Sequence, residues 1–383
     1  MKRMYKIMVY IILLSMCFHI APYQPSAENS VSAHNAVLIE QHSGRILYEK
    51  APHEKQRIAS ITKIMTAILA IESGKIDQVV KVSPNAIGVE GSSLYLVDGE
   101  KIKLKDLVYG LMLRSGNDSA VAIAEEVGGS LEGFVYLMNQ KAEELGMVNT
   151  HFANPHGLDD HEDHYSTAYD MALLTRYAMQ NEIYKEISGT KLYRMPHPEE
   201  KWDRVWKNKN KLLTNLYPYT TGGKTGYTKR AKRTLVTTAS KDGLDLIAVT
   251  LNAPSDWNDH ISMYESAFSS YKLTKVIKEG EFEGSNDPYY KHKLYVKRDV
   301  LYPLQEDEKS SIKLEAKLLK PSENWGDHAS TPNIVGRINV YHNGEVIDHV
   351  SVYYKKGADE GGNGFWNKIK GMIFSFLGVR SNG

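Results

Sequence analysis

The stretch Arg57-Ile58-Ala59-Ser60-Ile61-Thr62-Lys63-Ile64-Met65-Thr66 sets a hydroxyl and an amine three residues apart at the head of an apolar run. Downstream, Ile61, Ile64, Met65, Ile68 and Leu69 recur at helical spacing until Gly74 offers a stop, which predicts a buried helix from Ser60 to Ser73. Ser60 and Lys63 then share one face and lie within reach of each other. Serine is a poor nucleophile unless a base stands beside it, and lysine is a base only when burial or a second cation lowers its pKa. Lys224 is a candidate for that cation. A serine on the first turn of a helix also lies beside backbone N–H groups and the positive end of the helix dipole, which stabilise an oxyanion on an attacked carbonyl.

Around this helix the chain alternates in texture. The runs Ala36-Val37-Leu38-Ile39 and Ile46-Leu47-Tyr48 flank His42-Ser43-Gly44 and predict a hairpin. Helices are expected over Leu104–Leu113, Ser119–Val127, Leu131–Leu145 and Tyr169–Met179, three of them followed by glycine or a polar turn. Thr234–Ala239 and Leu244–Leu251 are β-branched runs joined by Lys241-Asp242-Gly243, a hairpin signal. The order strand, helices, strand indicates an α+β domain. A polar linker, Gly280 to Pro288, leads into short alternating segments such as Lys293-Leu294-Tyr295-Val296, Ile312-Lys313-Leu314 and Arg337-Ile338-Asn339-Val340-Tyr341, which predict a small β-rich domain reaching about Tyr354.

Composition excludes several function classes. Across 383 residues, 47 Lys plus Arg against 46 Asp plus Glu leave a net charge of +1, so no global field draws the chain to nucleic acid. One cysteine, Cys17, excludes an internal disulfide and a Cys-based zinc or iron–sulfur site. Lys2, Arg3 and Lys6 precede the apolar run Ile7 to Ile20, which is shorter than a bilayer span and runs on to Pro22 and Pro25, as in a secretory signal. Cleavage after Ala27 or after Ala33 fits, and either leaves an exported chain without cysteine. A lipoprotein signal at Cys17 is disfavoured by the bulk of Met16. At the other end Phe365, Trp366, Ile369, Met372, Ile373, Phe376 and Leu377 share one helical face, with Asn367, Lys368 and Lys370 opposite, the pattern of a helix lying in a membrane interface. The expected division is 1–27 signal, 28–279 catalytic domain, 280–356 β-rich domain and 357–383 linker with amphipathic helix.

Two further motifs bear on the chemistry. Leu113-Arg114-Ser115-Gly116-Asn117-Asp118 falls in a turn between two predicted helices, and Gly222-Gly223-Lys224-Thr225-Gly226 opens the second sheet-forming run. Each has an ordinary structural reading as a turn or a strand start, and Ser60 alone reads as a helix cap. Ser-x-x-Lys, Ser-x-Asn and Lys-Thr-Gly in this order form a joint signature.

On these motifs, and on Asn154-Pro155-His156-Gly157-Leu158, the chain resembles the D-alanyl-D-alanine carboxypeptidases, the low-molecular-mass penicillin-binding proteins. Within that family the stretches Lys101 to Asn117, Asp159 to His164 and Lys207 to Gly226 are most similar to the sporulation-specific branch of Bacillus-type spore formers. The resemblance implies an antiparallel sheet with flanking helices, a helical lobe and a separate β-rich C-terminal domain. It implies that Ser60 attacks the carbonyl between the two terminal D-alanines of a peptidoglycan stem peptide, with Lys63 as base. Ser115 would pass a proton to the leaving amine, Asn117 would hold Lys63 and the substrate amide, and Lys224 with Thr225 would receive the terminal carboxylate. The N–H groups of Ser60 and Tyr227 would form the oxyanion hole, with Gly226 keeping the strand clear. No cofactor is implied, and β-lactams are expected as covalent inhibitors. The expected location is the outer face of the cytoplasmic membrane or the forespore intermembrane space, held there by the C-terminal helix.

Leu251-Asn252-Ala253-Pro254 lacks the basic residue that some relatives place there to hold the carboxylate, which leaves Arg230 or Arg233 as substitutes. A nucleotide-binding P-loop at Gly223-Lys224-Thr225 is excluded by Pro218 where that motif needs glycine. His156, His161 and His164 among Asp159, Asp160 and Asp163 lack the helical spacing of a zinc peptidase and read as a solvated, substrate-lining loop. A β-lactamase would carry a Glu-x-x-Leu-Asn segment, which is absent. A non-catalytic wall-binding scaffold would have no need for a nucleophile and its base together.

Overall fold

A computed structural model describes residues 31–196, 202–325 and 330–356. The expected signal segment, Cys17 and the amphipathic tail lie outside the described residues.

The frame is a five-stranded antiparallel sheet. Its strands are β1 (Asn35–Glu40), β2 (Ile46–Lys50), β7 (Thr220–Thr228), β8 (Lys232–Lys241) and β9 (Leu244–Leu251), in the order β2-β1-β9-β8-β7, while β3 (Val79–Lys81) with β4 (Lys101–Lys103) and β5 (Leu192–Met195) with β6 (Arg204–Lys207) form two separate two-stranded sheets. Side chains alternate across it with period two. Val37, Ile39, Val236, Ile247 and Val249 face one core, while Ala36, Leu38, Leu235, Leu246 and Ala248 face another. A sheet hydrophobic on both faces must be covered on both, and it is.

The first core carries the helical lobe: α1 (Lys63–Glu72), α2 (Leu104–Arg114), α3 (Asn117–Gly128), α4 (Leu131–Glu144), α5 (Ala168–Ala178) and α6 (Glu182–Gly189). Helix α1 is central, with every residue from Lys63 to Ile71 buried, so its sequence is apolar nearly all round. Helix α4 is peripheral and buries Phe134, Met138 and Ala142, spaced by four. Ser130 caps it by accepting from the Gly133 N–H at 3.0 Å, and Thr167 caps α5 by accepting from the Asp170 N–H at 3.0 Å. The second face carries α7 (Asp256–Ser270) through Met263, Tyr264 and Ala267.

Two details depart from the sequence reading. Ser60 lies not in an α-helix but in a 3-10 turn, Ala59–Thr62, with the α-helix starting at Lys63. The Thr62 hydroxyl donates to Ala59 O at 2.8 Å and Ala59 takes φ 49°, which tightens this entry. Helix α3 begins at Asn117 rather than Ser119, because Ser115 leaves α2 in the left-handed region at φ 66° and Gly116 re-enters extended. Helices α6 and α7 have no counterpart in the sequence reading. The buried face of α7 includes Asp256, Asp259 and His260, so its apolar period is diluted.

Beyond α7, strand β10 (Lys272–Ile277) pairs with β13 (Val300–Leu304), and β11 (Gly280–Glu281), β12 (Leu294–Val296), β16 (Glu345–Tyr354), β15 (Ile334–His342) and β14 (Ile312–Leu318) form a second sheet in that order. Both share a core of Val276, Leu294, Val296, Val300, Val335, Val340 and Val352. Arg45, in the β1–β2 hairpin, ties this module to the first domain. It donates to Pro303 O and to both carboxylate oxygens of Glu308, and its guanidinium lies 5.2 Å from the ring centroids of Tyr271 and Tyr302. Among the described residues no helix is long and apolar enough to cross a membrane.

Candidate active site

Three stretches far apart in sequence meet between the helical lobe and strand β7. The 3-10 turn sets Ser60 part-exposed at the head of buried α1, fixed beneath by Ile58, Ile61 and Ile64, none of them solvent-accessible. Lys63 is itself fully buried. Its Nζ lies 3.1 Å from Ser60 Oγ, 2.6 Å from Asn117 Oδ1 and 2.6 Å from His156 O. Asn117 Oδ1 and His156 O only accept, so a neutral amine spends both N–H bonds on them and turns its lone pair to the Ser60 hydroxyl. Burial first, then the charges of Lys224 and Lys209, hold the Lys63 amine well below its ordinary pKa of 10.5; Asp118 opposes this. The arrangement sets a serine hydroxyl beside an amine whose charged form is disfavoured.

Ser115 owes its place to its own left-handed conformation at the end of α2. Lys224, 2% exposed on β7, donates to Ser115 Oγ at 3.1 Å and to Thr225 O at 2.7 Å. Burial, with Lys209 adding to it, brings the Lys224 amine down to about 7. Gly226 faces the nucleophile: a Cβ there would stand 3.0 Å from the Ser60 nitrogen and 2.4 Å from Thr234 Oγ1, so only glycine lets β7 pass this close. Thr225 is half-buried and Tyr227 is 65% exposed on the same strand.

The loop Asn154 to Leu158 closes the floor. Gly157 sits at φ +86°, where a Cβ would fall 1.9 Å from Ala59 O. Its N–H donates at 2.6 Å to Asn154 Oδ1, which turns the loop so that His156 presents its carbonyl to Lys63. The His156 imidazole is held at about 3, by burial first and by Lys63 next, and is neutral in the site. His164, held at about 4 by burial, bonds Thr62 Oγ1 at 2.9 Å through Nε2 and accepts the Ala153 N–H at Nδ1, so it supports the nucleophile turn from below. Among the described residues no group of three or more His, Cys, Asp or Glu side chains is placed to hold a metal ion.

Two functional contributors escaped the sequence reading. Asp118, 2% exposed, accepts from Ser93 Oγ and from the Leu94 and Leu96 N–H groups, which folds residues 93–96 against the Ser115–Asn117 turn. Lys209 donates to Ser92 Oγ at 2.9 Å and is the further cation that acts on both Lys63 and Lys224. Arg230 and Arg233, the expected substitutes for a missing carboxylate anchor, are engaged elsewhere. Arg233 is paired with Asp256 at 2.6 Å and lies over Trp257, and Arg230 makes a bidentate pair with Glu162. The signal that could have found Lys209 is its place in Asn208-Lys209-Asn210, a short polar stretch before β7.

Comparison with known proteins gives concordant matches. Residues 21–255 match the D-alanyl-D-alanine carboxypeptidase family, and residues 271–360 match the C-terminal domain of penicillin-binding protein 5. The chain is 38% identical over 293 residues to D-alanyl-D-alanine carboxypeptidase DacF of Bacillus subtilis, covering 73% of this chain and 75% of that protein. It is 30% identical over 373 residues to D-alanyl-D-alanine carboxypeptidase DacC of Escherichia coli, covering 90% of each. Among solved structures, penicillin-binding protein 5 of Haemophilus influenzae superposes with a TM-score of 0.68 at 25% identity, over 85% of this chain and 97% of that one.

Proposed function

The chain belongs to the D-alanyl-D-alanine carboxypeptidase family of serine-type penicillin-binding enzymes, and from that premise we propose how its own residues divide the reaction. The observation that carries the assignment is the buried Lys63 amine, spent on two acceptors and leaving its lone pair to Ser60. Ser60 Oγ attacks the carbonyl between the terminal D-alanines while its proton passes to Lys63 Nζ. The tetrahedral oxyanion is met by the N–H groups of Ser60 and Tyr227. Lys224 and Thr225 take the terminal carboxylate, and Ser115, in contact with Lys224, relays to the departing amine of D-alanine the proton that Ser60 gave to Lys63, so that both side chains return to their starting state. Asn117 holds Lys63 and the substrate amide. Water then enters as nucleophile, and the acyl-enzyme is hydrolysed with Ser60 restored.

The test is direct. The purified protein should release D-alanine from a peptide ending in D-Ala-D-Ala and should be labelled covalently by a fluorescent penicillin. Ser60→Ala should abolish both. Absence of labelling in the unmodified enzyme would refute the assignment.

The similarity to DacF of Bacillus subtilis and to the sporulation-specific branch supports a role in spore cortex or wall maturation. Its test is wall composition in spores lacking the protein. The chain is divided into a leader, 1–27, a catalytic domain, 28–279, a β-rich domain, 280–356, and a tail. The separate cores of the two modules support this division. The tail from Phe365 to Gly383 anchors the exported enzyme to the outer face of the cytoplasmic membrane or within the forespore intermembrane space. Deleting it should release the protein from phospholipid vesicles while D-alanine release continues. Unchanged vesicle partitioning would remove the anchor.

A further inference from the structure

The segment from Thr190 to Lys211 carries seven Lys or Arg against three Asp or Glu, a net +4 in a chain whose whole charge is +1. It forms the β5–β6 hairpin and the short run that leads from it to Lys209. The inner face of the hairpin is fixed. Tyr193 stacks on Tyr109 of α2, with ring centroids 3.7 Å apart and 7° between planes, its hydroxyl donates to Asp106, and its cross-strand partner Trp206 is buried. Side chains alternate across a strand, so the outer face sets Leu192 opposite Lys207 and Arg194 opposite Val205. All four are exposed, Leu192 at 49% and Val205 at 45%. Arg194 and Lys207 are diagonal neighbours on this face, close enough for their side chains to interact. Among the described residues no carboxylate lies within ion-pair distance of Lys191, Arg194, Lys207 or Lys209, whereas Arg204 is paired with Glu100.

The charge continues into the active site. Arg114, next to Ser115 at the end of α2, donates to Lys207 O at 3.3 Å, and the Lys209 N–H donates to Leu113 O at 3.1 Å, so the exit of β6 is bound to the turn that carries Ser115. Lys191 lies alongside, its carbonyl accepting the Asn208 N–H at 2.9 Å. Lys209 Nζ reaches Ser92 Oγ at 2.9 Å, and Ser92 O accepts the N–H of Asn117, whose side chain holds Lys63. A row of cations thus runs from the outer face of the hairpin to the mouth of the cleft. The lowered pKa of Lys209, due to burial first and to the Arg114 charge next, agrees with a positive field there.

A field of one sign beside a cleft gathers and holds ions of the other sign, and at this place it acts on groups joined to the peptide in the cleft. Stem peptides recur along a glycan strand, and each carries free carboxylates. When one peptide is at Ser60, its neighbours present repeated anions outside the mouth. An anionic lipid surface fits this face less well, because pressed against it a bilayer would cover the entrance beside Ser92 and Lys209. We propose that the outer face of the β5–β6 hairpin, through Arg194 and Lys207 and continued by Lys191 and Arg114, is an exosite for polymeric peptidoglycan that holds the carboxylates of stem peptides next to the one being cleaved. The proposal rests on the carboxypeptidase reading and adds to it a preference for strand over free peptide, produced away from the reacting residues. Each exposed ion pair contributes little, but several engaged at once on one polymer raise the effective concentration of substrate at Ser60.

The experiment compares kcat/KM for D-alanine release from uncrosslinked glycan strands bearing pentapeptides, expressed per peptide, with that from the same pentapeptide free in solution. The unmodified enzyme should favour the strand by about fivefold or more at low ionic strength, and the ratio should fall toward unity with added salt. In the Arg194→Gln/Lys207→Gln double variant the ratio should drop to within about twofold of unity, while kcat/KM on the free peptide stays within about twofold of the parent and so reports an intact fold and site. Cosedimentation of the Ser60→Ala protein, with and without the two substitutions, against peptidoglycan stripped of phosphate polymers, walls that retain them, and phosphatidylglycerol vesicles identifies the source of the anion. A loss of binding confined to phosphate-bearing walls or to vesicles would overturn the assignment to stem peptides. A ratio of unity in the unmodified enzyme, or one that the double variant leaves unchanged, would overturn the exosite while leaving the carboxypeptidase reading in place. No D-alanine released from either substrate would remove both.

Discussion

The amine of Lys63 stands 3.1 Å from the hydroxyl of Ser60, and every other polar neighbour of that amine is an acceptor. With two N–H bonds committed to Asn117 Oδ1 and His156 O, the remaining position on that amine points at the nucleophile, so loss of its proton would leave a lone pair directed at the hydroxyl.

Lys63→Ala should therefore lower the rate of acylation by a fluorescent penicillin by about 10²-fold or more, the usual scale for loss of a positioned base. Non-covalent affinity for a D-Ala-D-Ala peptide should change far less. Stopped-flow acylation and equilibrium binding separate the two, and equal acylation rates in variant and parent would remove lysine as the base.

The pH profile carries a second test. With Lys63 as the proposed base, acylation should rise with pH as the amine loses its proton, on a limb lying well below 10.5. The positive charge of Lys209 disfavours the protonated form. Lys209→Gln should move the acid limb of the acylation rate to higher pH, because one of the charges that expels the proton is gone. A limb that stays in place, or moves to lower pH, contradicts the electrostatic account.

Gly157→Ala tests the floor of the site. At φ +86° an alanine is strained, and its Cβ would overlap the Ala59 carbonyl, so the loop must move. A loss of about 2 kcal/mol or more is expected in chemical denaturation. It should come with a fall in acylation rate as the His156 carbonyl leaves Lys63. An alanine variant with parental stability and rate would show that the loop is not required in this conformation.

Arg45→Ala addresses the join between modules. Losing hydrogen bonds to Glu308 and Pro303 O should destabilise that contact by about 1.5–3 kcal/mol. Limited proteolysis should then cut faster between α7 and β14, while D-alanine release from short peptides stays within about twofold. Unaltered proteolysis would mean that the modules are held by other contacts.

Much of this was legible in the sequence because each element obeyed one dominant rule. Helix α1 was visible from Ile61, Ile64, Met65 and Ile68, and the β8–β9 hairpin from Lys241-Asp242-Gly243 between β-branched runs. The three motifs gave Ser60, Lys63, Ser115, Asn117 and Lys224, and the structure brings their side chains together. What escaped was set by tertiary contact. The 3-10 entry at Ser60 depends on Ala59 being held in the left-handed region beneath Gly157, a residue almost one hundred positions away. The supporting role of Asp118 is a set of long-range backbone contacts that no local period encodes. Arg230 and Arg233 were plausible anchors on proximity in sequence, but Glu162 and Asp256 had prior claim on them, and such pairing is invisible without the fold.

The second module and the catalytic cleft occupy opposite margins of one sheet. Arg45 grips from the turn beside β2, whereas Ser60 works against β7, with three strands between those two edges and roughly 20 Å across at about 4.8 Å per strand. A pull on the C-terminal half is thus delivered to the far rim and spread through four rows of backbone hydrogen bonds before it reaches the nucleophile. The distance between hydroxyl and amine is thereby set by β7 and the helical lobe, at the rim away from the second module.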